Sequence, residues 1–302
     1  MPLKPHQQPL WRSLLFVPAT AERFVAKAHM RGSDAIIVDL EDAVAPEEKP
    51  RARSLLADVV SIVGQDGADV LVRINRPWRI ALADLEAAVV DGVSAIVLTK
   101  TESADHVVFV DEVITELESE RGLEPGAIGL FVLIETAKGY LNVRQIVHAS
   151  HRLRAVSVGM EDFAEMIGMP EVDTEAILGY NREVHVAARE AGLLMLGYPG
   201  SIADFSDLER FRGNIRRARR LGFDGGPCIH PAQVAILNQE FSPSDAEVER
   251  AARLVELYDK AKADGAGAVA IEGKMIDEPI VRRAQRTLAL NHRITKAAGL
   301  RE

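Results

Sequence analysis

The feature that most constrains this chain is a repeat of short apolar runs that alternate with segments of helical spacing. The runs are rich in Val, Ile and Leu and are apolar throughout rather than at every second residue, which is typical of strands buried on both faces. Eight runs occur, within residues 13–19, 35–42, 69–75, 95–100, 130–135, 155–163, 193–199 and 227–231. Eight strand–helix units in about 230 residues predict an α/β fold, a (β/α)8 or TIM barrel.

The pattern changes near residue 240. A helix is predicted over residues 244–264, a glycine-rich segment follows at 265–273, and a last helix is predicted over 274–299. The glycine-rich segment lacks the Lys-Ser/Thr ending of a phosphate loop, so we interpret it as a flexible hinge. We therefore expect a barrel domain at residues 1–240 and a C-terminal helical arm or lid at 241–302.

The composition excludes several classes of function. The formal net charge of −9 argues against nucleic acid or an anionic membrane surface as a partner. Cys228 is the only cysteine, so neither a disulfide framework nor a thiolate metal site is expected. No apolar run has the length of a membrane span, and MPLKPHQQPLWR at the start lacks the apolar core of a signal peptide. These features predict a cytoplasmic protein.

Two acids follow neighbouring apolar runs. Glu135 ends the fifth run and Asp162 lies at the end of the sixth. Because the strands of a βαβ unit are parallel, both carboxylates are expected at the same mouth of the barrel, where such folds bind ligands. Two carboxylates suit a hard cation such as Mg²⁺, which keeps waters and takes its other ligands from the substrate. The alternative is that both are strand-end charges that face solvent.

Further charged residues fall at the same strand ends. Asp39, Glu41 and Asp42 close the second run, and Arg73 lies near the end of the third. Acids gathered at one mouth repel each other unless a cation or protons compensate them, which favours a metal. The planar fork of Arg73 suits a substrate carboxylate or a developing oxyanion. Its structural alternative is an ion pair with Asp39 or Glu41.

Seven motifs, in order, resemble the citrate lyase β-subunit group of acyl-CoA lyases, which includes malyl-CoA and citramalyl-CoA lyases of the HpcH/HpaI aldolase superfamily. They span Arg12 to about Ala284 and are RSLLFVPA, DLEDAV, LVRIN, LIETAKG, VGMEDF, IHPAQ and GKMIDEP. The resemblance implies a (β/α)8 barrel with a C-terminal arm, commonly a homotrimer. It also implies cleavage or formation of the carbon–carbon bond between an acyl-CoA and a 2-oxo acid, with Mg²⁺.

The resemblance also implies roles for particular residues. Glu135 and Asp162 match the metal carboxylates of the group, and Glu135 also borders the substrate. Arg73 matches its catalytic and substrate-binding arginine. Asp277 in KMIDEP matches an acid/base aspartate presented across a subunit boundary. Glu41 and Asp42 match acids near the waters of the metal.

The chain departs from the group at three places that border the acyl and CoA pockets. They are Ala19-Thr20 after FVP, LGYPGS after the seventh run, and Gly225-Gly226-Pro227 before the eighth. The resemblance therefore leaves open a citramalyl-, malyl- or citryl-CoA substrate, and a trimer or a hexamer. Two alternatives remain: a metal-dependent 2-oxo acid aldolase that uses no CoA, and a β subunit that acts on a carrier-protein thioester.

Overall fold

The structure, a computed structural model, describes residues 8–203, 205–263, 269–271 and 274–299. The chain divides into two compact units, with the division between Phe241 and Ser242. None of the helices in the described ranges is both long and apolar enough to cross a membrane.

The first unit contains a single parallel sheet of eight strands, in the order β7-β6-β5-β4-β3-β2-β1-β8. A parallel bridge between Leu196 and Gly225 joins β7 to the start of β8, which closes the sheet into a barrel. The expected (β/α)8 fold is therefore confirmed. The strands are β1 Ser13–Pro18, β2 Ala35–Asp39, β3 Asp69–Ile74, β4 Val93–Leu98, β5 Gly129–Ile134, β6 Leu153–Val158, β7 Leu194–Leu196 and β8 Gly226–Cys228.

Helices follow the strands and cover the outside of the barrel. They are α1 Glu22–Ala28, α2 Lys49–Val63, α3 Trp78–Ala88, α4 Ala104–Glu120, α5 Ala137–Leu141, α6 Val143–Ile146, α7 Met160–Met166, α8 Thr174–Ala191, α9 Leu208–Leu221 and α10 Pro231–Glu240. The strands are continuously apolar because each of their faces meets a different core. Leu14, Ile37 and Phe131 fill the barrel interior, whereas Leu15 and Ile36 belong to the layer between sheet and helices.

The structure corrects the sequence interpretation at one place in the barrel and refines it at another. The sixth apolar run was expected to continue as strand to Phe163, but β6 ends at Val158 and the short helix α7 carries Asp162. A segment of helical spacing separates the fifth and sixth runs, and in the structure it forms two short helices, α5 and α6, which meet at Asn142.

The second unit contains α11 (Asp245–Ala263), the antiparallel pair β9 (Val269–Ile271) and β10 (Lys274–Ile276), and α12 (Glu278–Ala298). Tyr258, Ile276 and Val281 form its small core. The last helix was expected from residue 274, but it starts only at Glu278, because residues 274–276 pair with β9. Residues 269–271 are thus strand rather than hinge, and residues 265–268 and 272–273 lie outside the described residues. The role of residues 241–302 as a helical arm or lid stays a prediction.

Candidate active site

The carboxyl ends of the barrel strands surround a cavity of about 870 Å³. Its lining includes four of the predicted site residues, Asp42, Arg73, Glu135 and Asp162. Strand register explains part of this arrangement, because β2 and β3 pair with Asp39 directly beside Arg73. The carboxyl-terminal face of a TIM barrel is where such folds bind and transform ligands. The sequence therefore predicted correctly that these residues share one mouth.

Glu135 directly follows β5 and is 4% exposed. The backbone N–H of Lys100 donates to its Oε2 at 2.5 Å. Gly159 faces the same side chain so closely that a Cβ there would lie 2.4 Å from the Glu135 Cγ and 2.5 Å from Oε1. Burial raises the pKa of Glu135 to about 7; the Lys100 N–H opposes this rise and the nearby Asp162 carboxylate adds to it. Glu135 is thus a fixed carboxylate whose ionised form needs a compensating cation.

Asp162 lies in the first turn of α7, with 40% of its side chain exposed. Its Oδ1 is 3.3 Å from the Nζ of Lys100. Glu135 is therefore buried and hydrogen-bonded, whereas Asp162 is partly exposed and faces the cavity.

Arg73 is held by a bidentate ion pair with Asp39. Its Nε and Nη2 donate to the two carboxylate oxygens at 2.7 and 2.6 Å. Its Nη1 is 3.0 Å from Oε2 of Glu41, and its guanidinium carbon lies 4.8 Å from the centre of the Phe16 ring. Burial lowers the pKa of Arg73, but Asp39 and Glu41 outweigh it and hold that pKa above its ordinary value. The ion pair considered from the sequence is thus present.

That ion pair does not exhaust the donors of Arg73, which has five N–H groups and lines the cavity. Asp39 fixes the guanidinium and leaves it able to contact a ligand. A substrate role for Arg73 stays a prediction.

Glu41 and Asp42 lie beside Arg73 but differ in exposure. Glu41 is 6% exposed, and its Oε1 accepts from the Nζ of Lys100 at 2.9 Å. Burial raises the pKa of Glu41, although the Arg73 charge opposes the rise. Asp42 has 61% of its side chain exposed, and its Oδ2 is 3.7 Å from Nη1 of Arg73. Both acids border the cluster as expected, whereas their contact with metal-bound water stays a prediction.

Lys100 is a site residue that sequence reasoning missed. It follows β4 and contacts Glu41, Glu135 and Asp162. Burial lowers the pKa of Lys100, but the Glu41 and Glu135 charges outweigh it and keep that pKa above its ordinary value. The signal in the sequence is that AIVLTK ends on a base at the mouth where the second, fifth and sixth runs carry acids.

Asp277 lies in the second unit, at the residue before α12. Aspartate is a common helix N-cap, yet this side chain makes no capping hydrogen bond. Its Oδ1 is buried and lacks a hydrogen-bond partner among the described residues. The acid/base role of Asp277 stays a prediction.

The donor set fits magnesium. Within the described ranges, no group of three or more His, Cys, Asp or Glu side chains is arranged to hold a metal. Mg²⁺ does not need such a cage, because one or two carboxylates suffice when water and substrate oxygens complete the octahedron. Glu135 and Asp162 supply two carboxylates at one cavity, and Gly159 leaves the space that Glu135 occupies.

A closed eight-stranded barrel with carboxylates and an arginine at its carboxyl mouth defines a TIM-barrel enzyme of the metal-assisted class. Comparison with known proteins makes the assignment specific. Residues 12–231 match the model of the HpcH/HpaI aldolase/citrate lyase family, and the chain belongs to that family.

Similar proteins extend over nearly the whole chain. Citrate lyase subunit beta of Haemophilus influenzae is 34% identical over 281 residues, which cover 92% of this chain and 96% of that protein. The L-malyl-CoA/beta-methylmalyl-CoA lyase of Rhodobacter capsulatus is 33% identical over 299 residues, which cover 91% and 92%. The family and these relatives indicate a carbon–carbon lyase.

A solved structure is also similar. It is protein CitE of Mycobacterium tuberculosis in complex with magnesium, acetoacetate and coenzyme A, with a TM-score of 0.74 and 27% identity over 95% of this chain and 99% of that one. The similarity thus includes the second unit as well as the barrel.

Proposed function

We propose that this protein is a Mg²⁺-dependent acyl-CoA lyase. It cleaves, or forms, the carbon–carbon bond of a 3-hydroxyacyl-CoA to give an acyl-CoA and a 2-oxo acid. The observation that carries this proposal is the convergence of Glu135, Asp162 and Arg73 on one cavity at the barrel mouth. The relatives that act on malyl-CoA, and the CitE complex with magnesium and coenzyme A, support it.

Glu135 and Asp162 would hold the magnesium ion. When bound, Mg²⁺ supplies Lewis-acid polarisation of the 2-oxo acid carbonyl. The protein fixes one ligand and leaves the other adjustable: Glu135 is clamped between the Lys100 N–H and Gly159, whereas Asp162 faces the cavity. The more exposed Asp162 would be the ligand that adjusts when a substrate binds.

Arg73 would stabilise the oxygen on which negative charge develops. Asp39 holds the guanidinium by two hydrogen bonds, so the remaining N–H groups are oriented before the substrate arrives. Such preorganised donors are often the largest single contribution to catalysis. Asp277 would exchange the proton at the acyl carbon, and we propose that a neighbouring subunit of a homotrimer or hexamer presents it.

The outer part of the cavity favours a CoA thioester over a free 2-hydroxy acid or aldol. Arg23, Lys27 and Arg31 are four residues apart, exposed and on the cavity lining. A row of cations at the rim of a chain with net charge −9 suits the phosphates of coenzyme A. Farther in, Phe131 and Leu133 give an apolar wall for the acyl and pantetheine portion. A CoA-independent aldolase has no use for such a rim.

A carrier-protein thioester is the second candidate, because one relative is a citrate lyase subunit. Its phosphopantetheine arm carries one phosphate, whereas free coenzyme A carries several. Three rim cations therefore favour the free cofactor.

The test is to incubate the protein and Mg²⁺ with malyl-, citramalyl- and citryl-CoA and to follow release of the 2-oxo acid. The same acids without CoA, and as carrier-protein thioesters, are the comparison. We expect release from at least one CoA ester, and we expect a Lys27→Ala, Arg31→Ala variant to need more of that ester for half-maximal rate. Release from the CoA-free acids at an equal rate would identify an aldolase. Release from the carrier-bound form alone would identify a β subunit.

A further inference from the structure

Lys100 has an unusual backbone conformation. Its φ is 46°, and it is the one non-glycine residue with positive φ in the part of the chain that the structure describes. Side chains disfavour this left-handed region, and residues held there cluster at functional sites. Lys100 lies two residues beyond the end of β4, at the mouth where the acids converge.

The turn at Lys100 directs its backbone and its side chain to different acids. Its N–H donates to Oε2 of Glu135 at 2.5 Å. Its Nζ lies 2.9 Å from Oε1 of Glu41 and 3.3 Å from Oδ1 of Asp162. One residue thus contacts acids from three segments of the barrel, including both proposed metal ligands.

The position of the ammonium has a consequence for metal binding. A divalent cation that is held by Glu135 and Asp162 must share Asp162 with Lys100 or take it over. Two positive centres within a few ångströms of each other repel strongly at the low effective dielectric of a partly buried site. The side chain of Lys100 is 32% exposed, so it has room to move away from Asp162.

We propose that Lys100 is a positioning residue that competes with the divalent cation for Asp162. Before the cation binds, its ammonium holds Asp162 and Glu41 together at the mouth. When the cation binds, the ammonium leaves Asp162 and keeps Glu41, while the Lys100 backbone N–H continues to fix Glu135. This proposal rests on the proposed metal site.

Competition with the cation and a purely structural role predict opposite changes in metal affinity when the Lys100 ammonium is removed. If Lys100 only supported the carboxylates, its loss would let them separate and would weaken metal binding. If it competes with the cation, its loss strengthens metal binding. The backbone N–H to Glu135 survives any substitution other than proline, so Lys100→Met removes only the ammonium.

The test is Mn²⁺ binding, measured by electron paramagnetic resonance at fixed pH without substrate. We expect Lys100→Met to bind Mn²⁺ about tenfold more tightly than the parent, because it loses the repulsion. The matched control is Lys138→Met, which removes the same charge from a side chain that is 66% exposed and paired with Glu102. Its affinity should stay within about twofold of the parent, since solvent and salt screen it.

Equal or weaker binding by Lys100→Met would overturn the proposal. A Glu135→Gln variant separates this failure from failure of the site itself. If the parent binds Mn²⁺ no better than Glu135→Gln does, the metal site is wrong, and the role of Lys100 falls with it. If Glu135→Gln lowers the affinity and Lys100→Met does not raise it, the metal site stands and the competition is wrong.

A second measurement needs no variant. Amine-selective labelling of the parent protein, read by mass spectrometry, reports how free each lysine is. Saturating Mg²⁺ should raise the labelling of Lys100 at least threefold relative to Lys138, because the ammonium leaves Asp162. Labelling of Lys100 that Mg²⁺ leaves unchanged or lowers would contradict the proposal.

Discussion

The close approach of Gly159 to Glu135 allows the position of the Glu135 carboxylate to be changed without changing its charge. A Cβ at residue 159 would lie 2.4 to 2.8 Å from Cγ, Oε1 and Cδ of Glu135, whereas ordinary contacts begin near 3.4 Å. Gly159→Ala therefore has to push the Glu135 side chain aside by roughly 1 Å. Gly159 has φ of −76°, so alanine meets no backbone strain there and the effect is steric.

The expected magnitude follows from two opposed effects on folding and one on binding. Overpacking a buried site costs about 1–3 kcal/mol, and the loss of glycine entropy from the unfolded chain returns about 0.4–1 kcal/mol. A net loss of about 1–2 kcal/mol of unfolding free energy is expected. Displacing a metal ligand from its supported position lowers affinity by about 10–100-fold. Urea denaturation and Mn²⁺ titration measure the two quantities.

Gly179→Ala is the matched control, because Gly179 lies within α8 and an added Cβ has no atom within 4 Å. It should gain up to about 1 kcal/mol from helix propensity and leave Mn²⁺ affinity unchanged. If Gly159→Ala binds Mn²⁺ as tightly as the parent and is equally stable, Glu135 is neither clamped nor a metal ligand in the way described.

Three further predictions concern the same site. The pKa of Glu135 is raised from its ordinary 4.5 to about 7, so the stability supplied by its neutral form is present below pH 4.5 and lost as the pH rises through 7. In chelator, urea denaturation should show the parent losing about 3 kcal/mol between pH 4 and 8 relative to Glu135→Gln; a constant difference would refute this. Arg73→Lys should lower kcat by about 10²–10³, because an ammonium cannot replace the oriented fork, and a rate within twofold of the parent would leave Arg73 as a structural ion-pair partner. Asp277→Ala should be nearly inactive yet bind Mg²⁺, and mixing it with Arg73→Ala should restore part of the activity. No recovery in proven mixed oligomers would place Asp277 within its own subunit or outside catalysis.

The barrel and part of its site were predictable because they depend on local patterns. Continuous apolar runs identify strands buried on both faces, and parallel strands bring Glu135 and Arg73 to one mouth whatever the details of packing. Asp162 was placed at the correct mouth but on the wrong element. GMEDF was assigned to the preceding apolar run, although its glycine and the two acids that follow are compatible with a helix start at Met160.

The features that the sequence did not reveal arise from tertiary contacts. The positive φ of Lys100 is imposed by its surroundings and cannot be read from a lysine after a strand. The choice between a free Arg73 and one paired with Asp39 depends on the register of β2 and β3.

Tertiary contacts were also not predictable where the sequence departs from the citrate lyase β-subunit group. The sequence marks LGYPGS and Gly225-Gly226-Pro227 as unusual, but not that they pack together. In the structure, a Cβ at Gly226 would lie 2.9 Å from the Tyr198 ring, and one at Gly225 would lie 1.8 Å from the Trp11 carbonyl oxygen. The buried Tyr198 ring lines the cavity and packs against Gly226, so the two departures meet through this one contact.

The most direct test of the central claim is to measure all products of one reaction. Malyl-CoA and citramalyl-CoA are incubated with the parent protein, or with Glu135→Gln, in Mg²⁺, and acyl-CoA, 2-oxo acid and free coenzyme A are quantified by mass spectrometry. Carbon–carbon cleavage at the proposed metal site predicts equal amounts of acyl-CoA and 2-oxo acid from the parent. It also predicts little of either from Glu135→Gln or in chelator. Free coenzyme A with intact hydroxy acid, or equal cleavage by Glu135→Gln, would contradict it.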